Sequence, residues 1–211
     1  MKSEFSKRLV SSSILVPFTL FFIIKGSFLF TLFICLCFLI SSYEWYNMVR
    51  NKFILILGFL FLTFSFYSVC IIRNDLNENN LFNFLILIII CISTDLGGYI
   101  FGKTFKGPKL TKISPNKTFS GSVGSIILSS ITFCSLLFLM TKNINFIIIL
   151  TGIVTSLFCQ IGDLYFSLLK RKAKKKDTGN LLPGHGGILD RIDGIIFGLP
   201  AGFIFLLIFL R

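Results

Sequence analysis

Seven apolar runs alternate with short polar stretches along the chain. They lie at roughly Leu9–Ile24, Ser27–Met48, Phe53–Ile72, Leu81–Phe101, Phe119–Thr141, Ile144–Leu169 and Ile188–Leu210. Most approach the ~20 residues that a helix needs to cross the hydrocarbon core of a bilayer. Lipid offers the backbone no hydrogen bonds, so such runs are predicted to be helices. The first is short and holds Pro17, which predicts a kink. The sixth is long enough for its last two turns to project beyond the bilayer core. The first run lacks a small-residue cleavage exit and meets a second run at once, which argues against a cleaved secretory signal.

Composition strengthens this pattern. Apolar residues make up 54% of the chain and charged residues only 14%, too few to cover a soluble domain of this size. The same counts exclude disorder. The expected fold class is all-α: a polytopic integral membrane helical bundle with about seven transmembrane helices. Residues 1–211 read as a single membrane-embedded catalytic domain without internal repeat or linker. All six cysteines fall inside apolar runs and read as small hydrophobes, with no zinc-site spacing.

The net charge is +12. In a soluble protein that would suggest nucleic acid. Here the basic residues lie between apolar runs, so the lipid bilayer and phosphate groups are the expected partners and nucleic acid is not. With seven spans, one side receives Lys2, Lys7, Arg8, Arg50, Lys52, Lys103 through Lys117, Lys170 through Lys176 and Arg191. The other receives Lys25, Arg73, Lys142 and Arg211. The division is seventeen against four. The positive-inside rule then places the N-terminus and the basic loops in the cytoplasm and the C-terminus opposite. The Phe/Ile/Lys/Asn bias suggests an AT-rich bacterial genome, hence the bacterial inner (cytoplasmic) membrane.

The acids mark the chemistry. Asp95, Asp163, Asp190 and Asp193 lie in or beside apolar runs, where a carboxylate costs about 2.5–3.5 kcal/mol on insertion scales. Helical spacing gathers them. Asp163, Ser167 and Lys170 share one face, as do Asp190 with Asp193, and Asp95 with Tyr99 and Gly102. Short carboxylates with oxygen ligands suit Mg²⁺, and a second cation is compatible with so many acids. The alternative is that each Asp pairs with a nearby lysine and has no chemical role.

Two basic loops flank these faces. One runs from Lys170 and Arg171 through Lys176 and Asp177 to Pro183-Gly184-His185-Gly186-Gly187. Its glycines permit close approach to an anion, and the amides opening the next helix at Ile188 could point at a phosphate. The bland reading of its lysines is a topology signal beside anionic lipid. The other loop carries Ser114-Pro115-Asn116-Lys117-Thr118 before a helix start, a plausible triphosphate contact without P-loop spacing. Gly121, Ser125 and Ser129, at four-residue steps, read as a close-packing stripe.

At these residues the chain resembles the CDP-diacylglycerol synthase family, also called phosphatidate cytidylyltransferases. The family pattern S-x-x-K-R-x4-K-D-x5-P-x-H-G-G-x-x-D-R-x-D runs without gaps from Ser167 to Asp193. Gln160-Ile161-Gly162-Asp163-Leu164 is similar to its Q-x-G-D-L element. Asp95 through Lys103 resembles D-x-x-x-Y-x-x-G-K, and Ser114 through Thr118 resembles S-P-x-K-T. Glu44-Trp45 near the amino end also looks similar. The likeness is densest over residues 92–198. Ser120 departs from the usual Glu or Gln, Gly194 replaces a common Ser, and about two spans are missing between Arg73 and Leu81.

The resemblance implies transfer of CMP from CTP to phosphatidic acid, giving CDP-diacylglycerol and pyrophosphate, with Mg²⁺ as cofactor. It implies Asp163, Asp190, Lys170, Arg191 and Asp193 as catalytic residues, with Asp163, Asp190 and Asp193 on the metal. It implies Ser114, Lys117, Thr118, Ser167, Arg171, Lys176, Asp177, His185, Gly186, Gly187, Asp95 and Tyr99 as substrate-binding. A homodimer is a further expectation. An ion-coupled transporter would instead show inverted repeats or paired broken helices, and neither is visible. A CDP-alcohol phosphatidyltransferase would carry a D-G-x2-A-R pattern, which is absent. A catalytically inactive family member would need an assay to recognise.

Overall fold

The computed structural model describes residues 2–74, 80–111, 113–142, 146–181 and 186–209. Lys112, Pro183, Gly184 and His185 lie outside the described residues, as does most of the segment after Arg73 where two spans were expected to be missing. Among the described residues there are seven helices: α1 (Lys2–Lys25), α2 (Ser27–Met48), α3 (Lys52–Asn74), α4 (Asn80–Phe105), α5 (Phe119–Thr141), α6 (Phe146–Lys172) and α7 (Leu189–Phe209). Six of them, α2 to α7, are long and apolar enough to cross a membrane, and α1 carries a shorter apolar part, Ser11–Lys25. The protein is a multi-pass helical membrane protein. Large apolar side chains such as Phe28, Leu39, Phe53 and Ile131 are exposed along these helices, as expected where lipid is the solvent.

The chain divides into two compact units. The first comprises Met1–Leu81 and Leu169–Ile192, and the second comprises Phe82–Leu168 and Asp193–Arg211.

In the first unit, α3 clamps the turn between α1 and α2. Arg73 donates from Nε to the Ile23 carbonyl at 2.7 Å and from Nη2 to the Ile24 carbonyl at 3.1 Å. Those carbonyls end α1, where the helix dipole favours a cation. Gly26 makes the turn at φ 63°, and a side chain there would run into the Arg73 guanidinium. Asn74 accepts from the Ser27 amide at 3.1 Å and donates to the Thr31 hydroxyl at 2.9 Å. On α2, the buried Trp45 lies against Gly58 of α3 and donates to the Leu55 carbonyl at 3.1 Å.

In the second unit, α4 and α5 cross backbone to backbone. A Cβ added at Gly97 would stand 2.7 Å from the Gly124 carbonyl, and one at Gly121 would stand 2.8 Å from the Gly98 carbonyl. Ser125 donates to the Thr94 carbonyl at 2.7 Å. The small-residue stripe thus serves as expected at Gly121 and Ser125. Larger residues would separate helices that have no hydrophobic driving force between them in lipid.

Candidate functional site

The helix ends set the site residues of the first unit. α6 runs to Lys172, past the predicted end of its apolar run. It closes with the Lys174 amide donating to the Arg171 carbonyl at 3.0 Å and the Lys175 amide to the Lys170 carbonyl at 2.9 Å. This is the Schellman pattern, and Lys174 occupies its left-handed position at φ 55°. The chain then turns back toward α7. Arg171, Lys172, Lys174, Lys175, Lys176 and Asp177 are exposed, but Lys175 also donates to the Asn47 carbonyl at 3.0 Å, so it is more than a solvated loop lysine.

Beyond this basic stretch, two carboxylates organise the Gly-rich turn. Asp190 accepts from Lys170 Nζ on Oδ1 at 2.8 Å. Its Oδ2 accepts from the Thr178 amide at 2.7 Å and the Gly187 amide at 3.0 Å, and lies 3.0 Å from the Thr178 hydroxyl. The Lys170 and Asp190 side chains are only 13% and 5% exposed, so their pair is largely desolvated. Gly186 sits at φ 83°, and a Cβ there would stand 2.8 Å from Asp190 Oδ2. Only glycine fits that backbone and that space.

The second carboxylate is Glu44, on α2. It is 4% exposed. It accepts from the Ile188 amide at 2.9 Å, the Leu189 amide at 2.9 Å and the Thr178 hydroxyl at 2.8 Å. The amides that open α7, expected to point at a phosphate, are therefore held by the protein's own carboxylate. An N-terminal helix end leaves its first amides unpaired and favours an anion, and Glu44 meets both needs. Arg191 is exposed in the next turn.

The second unit holds a more open cluster. Lys117 forms an ion pair with Asp163, and the two side chains are 27% and 34% exposed. Ser167 donates to Asp163 Oδ1 at 3.4 Å. Asp95, exposed on α4, lies within electrostatic range of both Asp163 and Lys117. Local order places each member. The Lys109–Thr118 bridge closes the loop before α5, with the Leu110 amide on the Lys117 carbonyl at 2.8 Å and the Lys117 amide on the Ser114 carbonyl at 3.1 Å. Thr118 caps α5, its hydroxyl accepting from the Gly121 amide at 3.1 Å. Ser120 donates to the Lys106 carbonyl and shares a hydrogen bond with the Thr118 hydroxyl, so the residue at the divergent position ties the loop to the helix start. Gln160 clasps α5 to α6. It accepts from the Ser122 hydroxyl and donates to the Ser122 carbonyl at 3.2 Å. That clasp orients α6 one turn before Asp163.

Tyr99 and Asp193 show local contacts. Tyr99 is 66% exposed, with the Lys103 ammonium 5.6 Å from its ring centroid. Asp193 accepts locally from the Gly194 amide at 2.9 Å. Beside it the backbones close up, since a Cβ at Gly162 would meet the Asp193 carbonyl at 2.5 Å.

Among the described residues no three His, Cys, Asp or Glu side chains converge as a metal cage. A hard cation such as Mg²⁺ needs no such cage, because it keeps waters and binds through one or two carboxylates plus phosphate oxygens. Asp163 with Asp95 fits that donor set, and the ammonium on Asp163 marks a place where positive charge is already stabilised. Asp190 offers less. One oxygen takes two backbone amides with the Thr178 hydroxyl also in reach, and the other is closed into a largely desolvated pair with Lys170, whereas the Lys117–Asp163 pair is half-exposed.

The sequence model of the cytidylyltransferase family matches residues 53–209. The chain belongs to the cytidylyltransferase family. Among curated relatives, the phosphatidate cytidylyltransferase of Rickettsia bellii (strain RML369-C) is 34% identical over 216 aligned residues, covering 96% of this chain and 90% of the relative. That of Rickettsia felis is 32% identical, covering 96% and 92%. That of Staphylococcus haemolyticus (strain JCSC1435) is 42% identical over 146 residues, 68% of this chain. There the chain spans about half the relative's length, 52%. The shortness read from the sequence is thus relative to long cytidylyltransferases such as the staphylococcal one, and much smaller against the rickettsial ones.

Proposed function

We propose that this chain is a phosphatidate cytidylyltransferase, transferring CMP from CTP to phosphatidic acid with release of pyrophosphate. One observation carries the reading: phosphatidate cytidylyltransferases align with 96% of the chain. The phosphatidate phosphate is already anionic, so the attacking oxygen needs no strong base. It bonds to the α-phosphorus of CTP as the bond to the β-phosphate oxygen breaks and pyrophosphate leaves. The main obstacle is repulsion between two anions, which fixed positive charge relieves.

In this reading Lys117 and Lys170 are the principal phosphate contacts, and Arg171, Lys176 and Arg191 add cationic field. Asp190 holds the Lys170 ammonium, and Gly186 and Gly187 keep the turn beside it tight. Asp163 and Asp95 would hold Mg²⁺, with Ser167 steadying Asp163. A bound Mg²⁺ would supply charge neutralisation on the nucleotide phosphates. Ser114 and Thr118 shape the loop that carries Lys117. The proposal extends to a homodimer in the bacterial inner membrane, with the N-terminus and both basic loops cytoplasmic. His185, Asp177, Tyr99 and Asp193 stay in it as substrate or metal contacts of lesser weight.

The deciding experiment is incorporation of radiolabelled CTP into lipid by the purified protein with phosphatidate and Mg²⁺. Label recovered as CDP-diacylglycerol is expected, and none would end the reading. Orientation is read by labelling Lys176→Cys on a cysteine-free background, because Thr178 is buried and Lys176 is exposed. Labelling from outside intact cells would overturn the cytoplasmic assignment.

A further inference from the structure

We propose that Glu44 is a positioning residue for this reaction, acting on Lys170 through Thr178 and Asp190; the inference rests on the cytidylyltransferase reading. The connection is continuous. Glu44 Oε2 takes the Thr178 hydroxyl at 2.8 Å, and the same hydroxyl lies 3.0 Å from Asp190 Oδ2. The Thr178 amide donates to that Asp190 oxygen at 2.7 Å, and Asp190 Oδ1 receives Lys170 at 2.8 Å.

A hydroxyl has one hydrogen and serves one carboxylate at a time. Each carboxylate therefore depends on backbone donors: Ile188 and Leu189 for Glu44, and Thr178 and Gly187 for Asp190. Gly187, Ile188 and Leu189 are consecutive, so whatever holds Ile188 and Leu189 in place also aims the Gly187 amide at Asp190, while Thr178 reaches both carboxylates from the other side. Glu44 does this from a helix more than 130 residues away in the chain.

The space around it has the same shape. A Cβ at Gly179 would stand 2.8 Å from Glu44 Oε1, and one at Gly187 would overlap both the Thr178 hydroxyl and Glu44 Oε2. The turn is thus built around this carboxylate. One consequence follows for substrate. The first amides of α7 already have an anion, so phosphate binding falls to the lysine side chains.

The test uses the full chain in detergent with phosphatidate and CTP, comparing Glu44→Ala and Glu44→Gln with wild type. Amide hydrogen exchange at Ile188 and Leu189 is expected to rise at least tenfold in Glu44→Ala, and kcat/KM to fall at least tenfold. Introduced into Lys170→Ala, the same change is expected to cost less than threefold, because its effect passes through Lys170. Glu44→Gln keeps one acceptor oxygen, enough for one of the two amides, and is expected to recover part of both losses. It carries the comparison if the alanine variant does not fold. Unchanged exchange, or a full tenfold loss in the Lys170→Ala background, would overturn the proposal. Absence of transfer in wild type would instead end the functional reading, and the exchange measurement would still judge the hold of Glu44 on α7.

Discussion

The two carboxylate groups of this protein differ in how far the chain itself satisfies them. Glu44 and Asp190, in the first unit, are buried, and between them they take four backbone amides, a threonine hydroxyl and the Lys170 ammonium. Asp163 and Asp95, in the second unit, are half-exposed and exposed, and among the described residues they show one lysine and one long serine contact. Carboxylates saturated by fixed donors shape a loop. Carboxylates left with open coordination can take a cation or follow a substrate. The same functional group is thus suited to two jobs, and the donors around it separate them.

Substitution by asparagine, which removes charge and keeps shape, sharpens this contrast most. Asp163→Asn is expected to lower CMP transfer by about 100-fold or more, the scale of losing one transition-state charge contact, with little change in unfolding temperature. Asp190→Asn is expected to lower both. It breaks a buried ion pair, which costs about 3–5 kcal/mol when one partner is lost. Activity and detergent unfolding curves on both variants check the pair. Equal stability of the two would erase the distinction.

A smaller effect separates lysines that meet carboxylates from those that do not. Lys117→Ala and Lys170→Ala are expected to reduce kcat/KM by about tenfold or more, consistent with a charged contact of about 1.5–3 kcal/mol. Lys174→Ala and Lys172→Ala are expected to stay within about threefold. Equal losses at all four positions would mean that only bulk positive charge matters.

The smallest effect concerns backbone alone. Lys174 holds a left-handed conformation at the end of α6 that costs a residue with a Cβ about 1–2 kcal/mol. Lys174→Gly removes that cost and adds freedom to the unfolded chain. The expected net gain is about 0.5–1 kcal/mol, seen as a higher unfolding temperature with transfer unchanged. A loss of stability would show that the lysine side chain contributes more than its backbone strains.

The helices were legible because hydropathy follows directly from the lipid solvent, and α2 and α5 begin and end where the apolar runs do. The Asp163–Ser167 face was legible because helical spacing is local. What spacing cannot reveal is a partner far along the chain. Glu44 reads as one acid in an apolar run, and its partners lie 134 to 145 residues later. Its role also reverses the expected use of the α7 amides, which a sequence shows as available but a fold can commit elsewhere. Gln160 was visible only within a motif, and its clasp on Ser122 depends on how α5 and α6 cross. Lys175 reads as one more topology lysine, because nothing in the loop's own residues points to the Asn47 carbonyl.

Manganese binding tests the central contrast without relying on turnover. Mn²⁺ substitutes for Mg²⁺ at oxygen sites, and its electron paramagnetic resonance signal falls on binding. With CTP present, wild type and Asp190→Asn, measured below its unfolding transition, are expected to bind with affinities within about threefold of each other, while Asp163→Asn weakens binding by about tenfold or more, near the 1.4 kcal/mol that such a factor represents. Retention of Mn²⁺ by Asp163→Asn together with its loss from Asp190→Asn would contradict the account and move the metal to the buried carboxylate.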